Sequence, residues 1–110
     1  MPTKTIDAVV KNLTITGNYS TYDEFYSKNK ILVFKDMIDL FKELKNEGKN
    51  LAILNLSANI NGQLWKTDLK FHRNQYFVLI RDMLPYFEKL EEYEICDEIK
   101  KLHEDLIPQN

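Results

Sequence analysis

The residues best suited to chemistry in this chain are two histidines and one cysteine. His72 stands beside Arg73, and His103 follows Cys96 by seven residues, a spacing that would place both on one face of a helix. A thiolate and an imidazole together can bind a metal or act as a nucleophile. Zinc requires three or four ligands, however, and no second cysteine or suitably spaced histidine completes such a set. We therefore expect no metal and no cofactor, and interpret Cys96 as a small core residue.

Carboxylates crowd the C-terminal third of the chain. They are Glu88, Glu91, Glu92, Glu94, Asp97 and Glu98. Such a group could supply an acid–base pair or bind a divalent cation, but the spacing is not that of an EF-hand and most positions fall where a helix shows solvent. The pattern indicates a solvated acidic face that can dock a basic partner. Glu91, Glu92 and the adjacent Tyr93 are therefore candidate partner-binding residues.

A basic stretch precedes this region and alternates with aromatic residues. Its members are Lys66, Lys70, His72 and Arg73, with Trp65 and Phe71 between them. Basic and aromatic side chains together are typical of single-stranded nucleic-acid binding. In a β-hairpin the aromatic side chains and the lysines would point to opposite faces. The net charge of −2 gives the protein no general attraction to phosphate. Nucleic-acid binding is thus the third of our functional hypotheses.

The number of aromatic residues is the strongest indication of an interface. Tyr19, Tyr22, Phe25 and Tyr26 fall within a short stretch, and Tyr86, Phe87 and Tyr93 form a later group. Tyrosine is favoured at interfaces because it buries a large area while keeping a polar tip. A chain of 110 residues cannot bury all of these rings. We predict an exposed aromatic patch that binds a partner through Tyr22, Phe25 and Tyr26.

The elements that must position these residues begin with a hairpin. Asn61-Gly62 is a strong signal for a two-residue hairpin turn. Apolar residues alternate with polar ones on both sides of it, and one register, with Ala58 opposite Trp65 and Leu54 opposite Leu69, places both apolar sets on one face. Residues 51–71 are therefore predicted to form a hairpin, although Trp65, Leu69 and the residues after them also fit helical spacing. A separate strand is predicted over residues 6–16, ended by Gly17-Asn18.

Helices are predicted near 21–47, 74–92 and 94–106 from apolar residues at three- and four-residue spacings. Ser20 or Thr21 would cap the first helix and Gly48 would end it. Pro85 must either kink the second helix or stand in the first turn of a fresh helix capped by Asp82. The predicted core consists of Met37, Phe41, Leu44, Leu54, Leu56, Trp65, Leu69, Ile80, Met83 and Leu102.

We predict one α+β domain spanning residues 1–110, in which a small antiparallel sheet is covered on one face by these helices. The alternative is an all-α pair of tandem helical hairpins. It is suggested by ungapped matches at an offset of 46 residues, such as Phe41 with Phe87 and Leu44 with Leu90. The strand-like residues 6–16 do not fit that alternative.

The best-fitting function is a non-catalytic protein-interaction module, an adaptor, inhibitor, immunity-type or regulatory protein, whose partner is another protein or a second copy of the chain. The alternative is a small enzyme or small-ligand-binding protein that uses residues from His72, Arg73, Asp82 and Glu88. The longest apolar runs are too short to cross a bilayer. A single cysteine suits a reducing compartment, so we expect a cytoplasmic protein that does not bind membranes.

Overall fold

The hairpin predicted around Asn61-Gly62 is present in the structure, a computed structural model that describes residues 8–108. Its strands are β2 (Leu51–Ile60) and β3 (Gln63–His72). Leu54 lies opposite Leu69, as the alternation predicts, and the rest of the predicted register is confirmed with it. Both turn residues have positive φ, 53° at Asn61 and 75° at Gly62. This backbone matches the right-handed twist of the two strands, which is why the Asn-Gly pair is preferred here.

The long helix α1 (Tyr22–Glu47) begins and ends where the sequence predicts. The hydroxyl of Thr21 accepts a hydrogen bond from the backbone N–H of Glu24 at 3.1 Å. At the other end Gly48 adopts a φ of 64°, and its N–H donates to the carbonyl of Leu44. These contacts satisfy backbone groups that a helix leaves unpaired at its two ends.

The first strand, β1 (Ala8–Tyr19), corrects two predictions. It continues past residue 16 to Tyr19, with a register shift between Thr14 and Asn18 around Gly17, whose φ is 114°. It also pairs with β2 in parallel, so the sheet is mixed, with strand order β1-β2-β3, rather than antiparallel throughout. Residues 6 and 7 of the predicted strand lie outside the described residues.

The parallel pairing follows from the length of α1. A helix of 26 residues spans about 39 Å, which is as long as the neighbouring strands. It therefore returns the chain to the end of the sheet where β1 began, and β2 must run in the same direction as β1. The α+β class is confirmed and the all-α alternative is excluded, because residues 51–72 form strands.

The predicted helix over 74–92 is divided into three pieces. A short 3₁₀ turn (Arg73–Gln75) and a π turn (Leu79–Met83) precede α2 (Leu84–Lys89). Pro85 stands in the first turn of α2, as one of the two predictions required. Asp82 does not cap this helix, because its carboxylate accepts two hydrogen bonds from Arg81 instead. The last helix, α3 (Tyr93–Leu106), matches the prediction.

The core lies between the sheet and the helices. Phe41, Leu44, Leu54, Leu56, Met83 and Leu102 are buried as predicted. Met37, Trp65, Leu69 and Ile80 are only partly buried, which corrects their placement in the core. Two of these, Met37 and Leu69, face one groove, because α1 packs on β1 and β2 and leaves part of β3 uncovered.

The hairpin turn yields a stability prediction. Replacement of Gly62 by Ala should lower the free energy of unfolding by about 1 kcal/mol, because an L-residue at this positive φ is strained. A Cβ at this position would meet no atom within 4 Å, so the cost is conformational and not steric. Urea unfolding measures it, with the exposed Gln63→Ala as the control. Equal stability of both variants would contradict the assigned turn.

Candidate functional site

A groove lined mainly by apolar residues lies between α1 and β3, and we call it the β3 groove. Its volume is about 580 Å³. It is lined by Tyr26, Ser27, Lys30, Val33, Phe34, Met37, Leu69 and Tyr86. The groove exists because α1 extends over β1 and β2 and contacts β3 through Trp65 and Phe71, while α2 packs on the middle of α1. The part of β3 around Leu69 stays open.

Two rings and one cation form an ordered wall of this groove. Phe34 and Tyr86 meet edge to face, with ring centroids 5.4 Å apart. The Lys30 ammonium group lies 5.0 Å from the Tyr86 centroid and 5.4 Å from that of Phe34. These distances allow cation–π attraction, which holds the lysine stem against the rings and leaves its charge at the rim.

The predicted aromatic patch lies at the N-terminal end of α1, next to the groove. Trp65 contacts Tyr22, Phe25 and Tyr26, with centroid separations of 5.2, 5.4 and 6.1 Å. Phe25 is fully buried, so it supports the other rings and offers no surface of its own. Tyr22 and Tyr26 are exposed by 53% and 38%. Desolvation raises the pKa of Tyr26, in keeping with its partial burial against Phe25 and Trp65.

Glu91, Glu92 and Tyr93 lie at the corner between α2 and α3 and are all exposed. The N–H of Glu92 donates to the carbonyl of Phe87, and that of Glu91 to the carbonyl of Glu88. This is a Schellman ending of α2, and it forces Glu91 to a φ of 57°. No ion pair or ring contact among the described residues joins this corner to Tyr22 or Tyr26. The structure therefore shows no direct contact between the two predicted groups of partner-binding residues.

Elsewhere the acidic face of α3 is partly neutralised by α1. Lys42 pairs with Glu98, and Lys45 pairs with Asp105 at 2.8 Å. Toward β1, Lys11 lies 3.1 Å from both Asp36 and Asp39 of α1. Its hydrogen bond to Asp39 is the main cause that raises the pKa of Lys11.

The predicted basic stretch is divided between two sides of the sheet. Lys66, Lys70 and His72 are exposed on the face that the helices leave open. Arg73 instead turns toward α1, and its guanidinium donates to the carbonyl of Leu44 at 2.8 Å. A cation there stabilises the negative end of the helix dipole. Arg73 is therefore a structural residue, and the aromatic Phe71 is buried on the helix side.

A second, more polar pocket of about 440 Å³ brings His72 and Arg73 together. Asn50, Tyr76 and Asp105 also line it. Asp82 and Glu88 do not line this pocket. Asp82 pairs with Arg81, and Glu88 lies near Cys96. The four residues considered for a small enzyme are thus not assembled into one site.

Cys96 and His103 do not form a pair. Cys96 is buried, and its burial, together with the nearby charge of Glu88, raises the pKa of the thiol. A raised pKa disfavours the reactive thiolate. The His103 ring packs against Tyr76 at a centroid distance of 5.3 Å. Within residues 8–108, no group of three or more histidine, cysteine or acidic residues is placed to hold a metal ion.

Sequence reasoning missed most of the β3 groove. Lys30, Phe34 and Tyr86 carried no prediction as site residues, and Met37 and Leu69 were assigned to the core. The available signal was the excess of aromatic residues over the capacity of the core. That signal indicates an exposed patch but not its position, because the position depends on how far α1 covers the sheet.

Comparisons with known proteins add no identification. No protein-family model, curated protein or solved structure matches this chain. Across residues 8–108 no helix is both long and apolar enough to cross a membrane.

The contact of Arg73 with α1 predicts a loss of stability on substitution. Arg73→Met should lower the free energy of unfolding by about 1–2 kcal/mol, because the Leu44 carbonyl loses a charged donor. Lys66→Met and Lys70→Met, on the open face, should change it by less than about 0.5 kcal/mol. Urea unfolding compares the three variants. An Arg73 variant as stable as the two lysine variants would contradict the capping role.

The left-handed backbone at Glu91 predicts that a substitution there increases stability. Glu91→Gly should raise the free energy of unfolding by about 0.5–1 kcal/mol, because glycine accepts the left-handed conformation without strain. Glu92→Gly makes the same change of charge at a residue whose φ is −86°, and should bring no gain. Thermal unfolding distinguishes the two. A gain at Glu92, or a loss at Glu91, would argue against the Schellman ending.

Proposed function

We propose that this protein is a non-catalytic protein-interaction module that binds its partner along the β3 groove and the exposed side of β3. The observation that carries this proposal is the groove itself. Its walls combine Phe34, Tyr86 and Met37, all partly accessible, with Leu69, which lies on a part of β3 that the helices leave uncovered. An apolar surface of this kind on a small domain is typical of a binding site for another protein.

The neighbouring tyrosines extend the same surface. Tyr22 and Tyr26 keep their hydroxyls at the surface while Trp65 and Phe25 hold their rings in place. Rings that are already ordered lose little conformational entropy when a partner binds. This supports a preformed interface over a flexible one, and we include Tyr22 and Tyr26 among the proposed contact residues.

The acidic corner of Glu91, Glu92 and Tyr93 is not among the residues that line the groove. We assign it electrostatic steering of a partner, since exposed charges at the rim of an interface chiefly affect the rate of association. The buried and unpaired thiol of Cys96 suits a reducing compartment such as the cytoplasm.

Site-specific crosslinking tests this function. A photoreactive p-benzoylphenylalanine placed at Tyr26 should crosslink to a protein in native lysate, because Tyr26 lines the groove. The matched control is the same group at Phe77, an aromatic residue of similar exposure that packs against Arg81 outside the groove. We expect at least a tenfold larger crosslinked fraction at Tyr26 than at Phe77.

Two results would contradict the proposal. One is equal crosslinking at both positions, which would indicate contact without a defined surface. The other is crosslinking at Tyr26 that disappears after treatment with nuclease, which would favour nucleic-acid binding instead.

A further inference from the structure

The outer side of β3 is an open strand edge. β3 lies at the end of the sheet and hydrogen-bonds β2 on one side only. It runs for ten residues, Gln63–His72. Because a two-residue turn joins the strands, the odd-numbered residues of β3 direct their backbone groups toward β2. The N–H of Arg73, which donates to the carbonyl of Asn50 at 2.7 Å, continues this alternation.

The even-numbered residues of β3 therefore direct their N–H and C=O groups outward. Such an edge is a template for an added strand. The side chains at these positions lie on the open face of the sheet and include Lys66, Asp68 and Lys70. No ion pair within residues 8–108 involves any of the three. The edge thus carries alternating charges that only an outside partner can pair.

We infer that the partner of this edge is a second copy of the chain, whose β3 pairs with the first in an antiparallel arrangement centred on Thr67. This inference rests on the proposed function, since it names the occupant of the same surface. Antiparallel pairing places even-numbered residues opposite even-numbered residues, so only a few registers are allowed. The charges select among them.

Centring on Thr67 places Lys66 opposite the partner's Asp68 twice, once on each side of the two-fold axis. It pairs nine residues, 63–71, and sets the highly exposed Leu64 against the aliphatic stem of the partner's Lys70. Centring on Lys66 or Asp68 would instead set like charges against each other, which destabilises cross-strand pairs. Centring on Leu69 also joins opposite charges, Asp68 with the partner's Lys70, but it sets Lys66 against the partner's His72 and pairs only residues 66–72.

The same arrangement brings the β3 grooves of the two copies next to each other. A two-fold axis perpendicular to the joined sheet keeps the helices of both copies on one face. Trp65 of one copy then lies opposite Leu69 of the other, beside the groove to which Leu69 belongs. One symmetric contact therefore pairs the strand edge, joins opposite charges and places the two apolar grooves side by side.

Reversal of the charges tests the register. Sedimentation equilibrium of the purified protein should show a dimer, and Lys66→Glu or Asp68→Lys alone should raise its dissociation constant by on the order of tenfold. The double variant with both changes restores opposite charges and should return to within about threefold of the original constant. Restored dimerisation of the double variant distinguishes this register from the one centred on Leu69, in which the double variant would still dimerise weakly. Circular dichroism checks the fold of each variant.

A disulfide gives an independent measurement. In the proposed register Thr67 lies opposite Thr67 of the second copy in a non-hydrogen-bonded pair. The Cα–Cα distance of such a pair is about 4.5 Å, which a disulfide can span. Thr67→Cys should therefore form a covalent dimer under mild oxidation, and Leu64→Cys, opposite the partner's Lys70, should not. The native Cys96 is buried and does not compete.

The outcomes separate the inference from the proposed function. A protein that stays monomeric at 100 µM, or a dimer insensitive to the charge changes, overturns the inference. If such a monomer still crosslinks a different protein at Tyr26, the interaction module stands and only its partner is wrong. If the protein is monomeric and Tyr26 also fails to crosslink any protein, both the dimer and the proposed function are contradicted.

Discussion

The parallel pairing of β1 with β2 is the constraint on which the rest of this structure depends. It requires a connection that runs the full length of the sheet, and α1 supplies that connection as one unbroken helix of 26 residues. A helix about 10 Å across covers roughly two strands spaced at about 4.8 Å. Placed over β1 and β2, it contacts β3 through Trp65 and Phe71 but leaves Leu69, between them, at an open groove. The open groove is therefore a consequence of the connectivity.

The helical layer is held mainly by apolar packing. Phe41, Leu44, Phe87 and Ile99 are fully buried between the elements. The ion pairs of Lys11, Lys42 and Lys45 join α1 to β1 and α3, but they are substantially exposed, and such pairs contribute little to stability. Their role is to fix the position of each element. They pair charges of the helical layer with charges of neighbouring elements, whereas Lys66, Asp68 and Lys70 of β3 take part in none of the ion pairs within residues 8–108.

The partly buried apolar residues are informative about function. Met37 and Leu69 have the hydrophobic character of core residues, and a domain with one more covering element would bury them. Here they line a surface whose neighbours, Tyr26 and Tyr86, are residues that proteins favour at interfaces. The residues that could do chemistry, in contrast, are not presented at this surface. Cys96 is buried, and Arg73 caps a helix. The β3 groove is thus lined mainly by partly buried apolar residues, and none of the reactive groups lies in it.

The sequence by itself determined the local elements, because their signals are local. The Asn61-Gly62 turn, the alternation of its two arms, and the Thr21 and Gly48 ends of α1 depend on residues a few positions apart. Tertiary structure alone decided the direction of β1 relative to β2, the partial exposure of Met37 and Leu69, and the division of the basic stretch between two sides. It also placed the aromatic residues beside a groove. These features depend on which strand a helix covers, and hydrophobic periodicity records that a residue faces an apolar neighbour without recording which one.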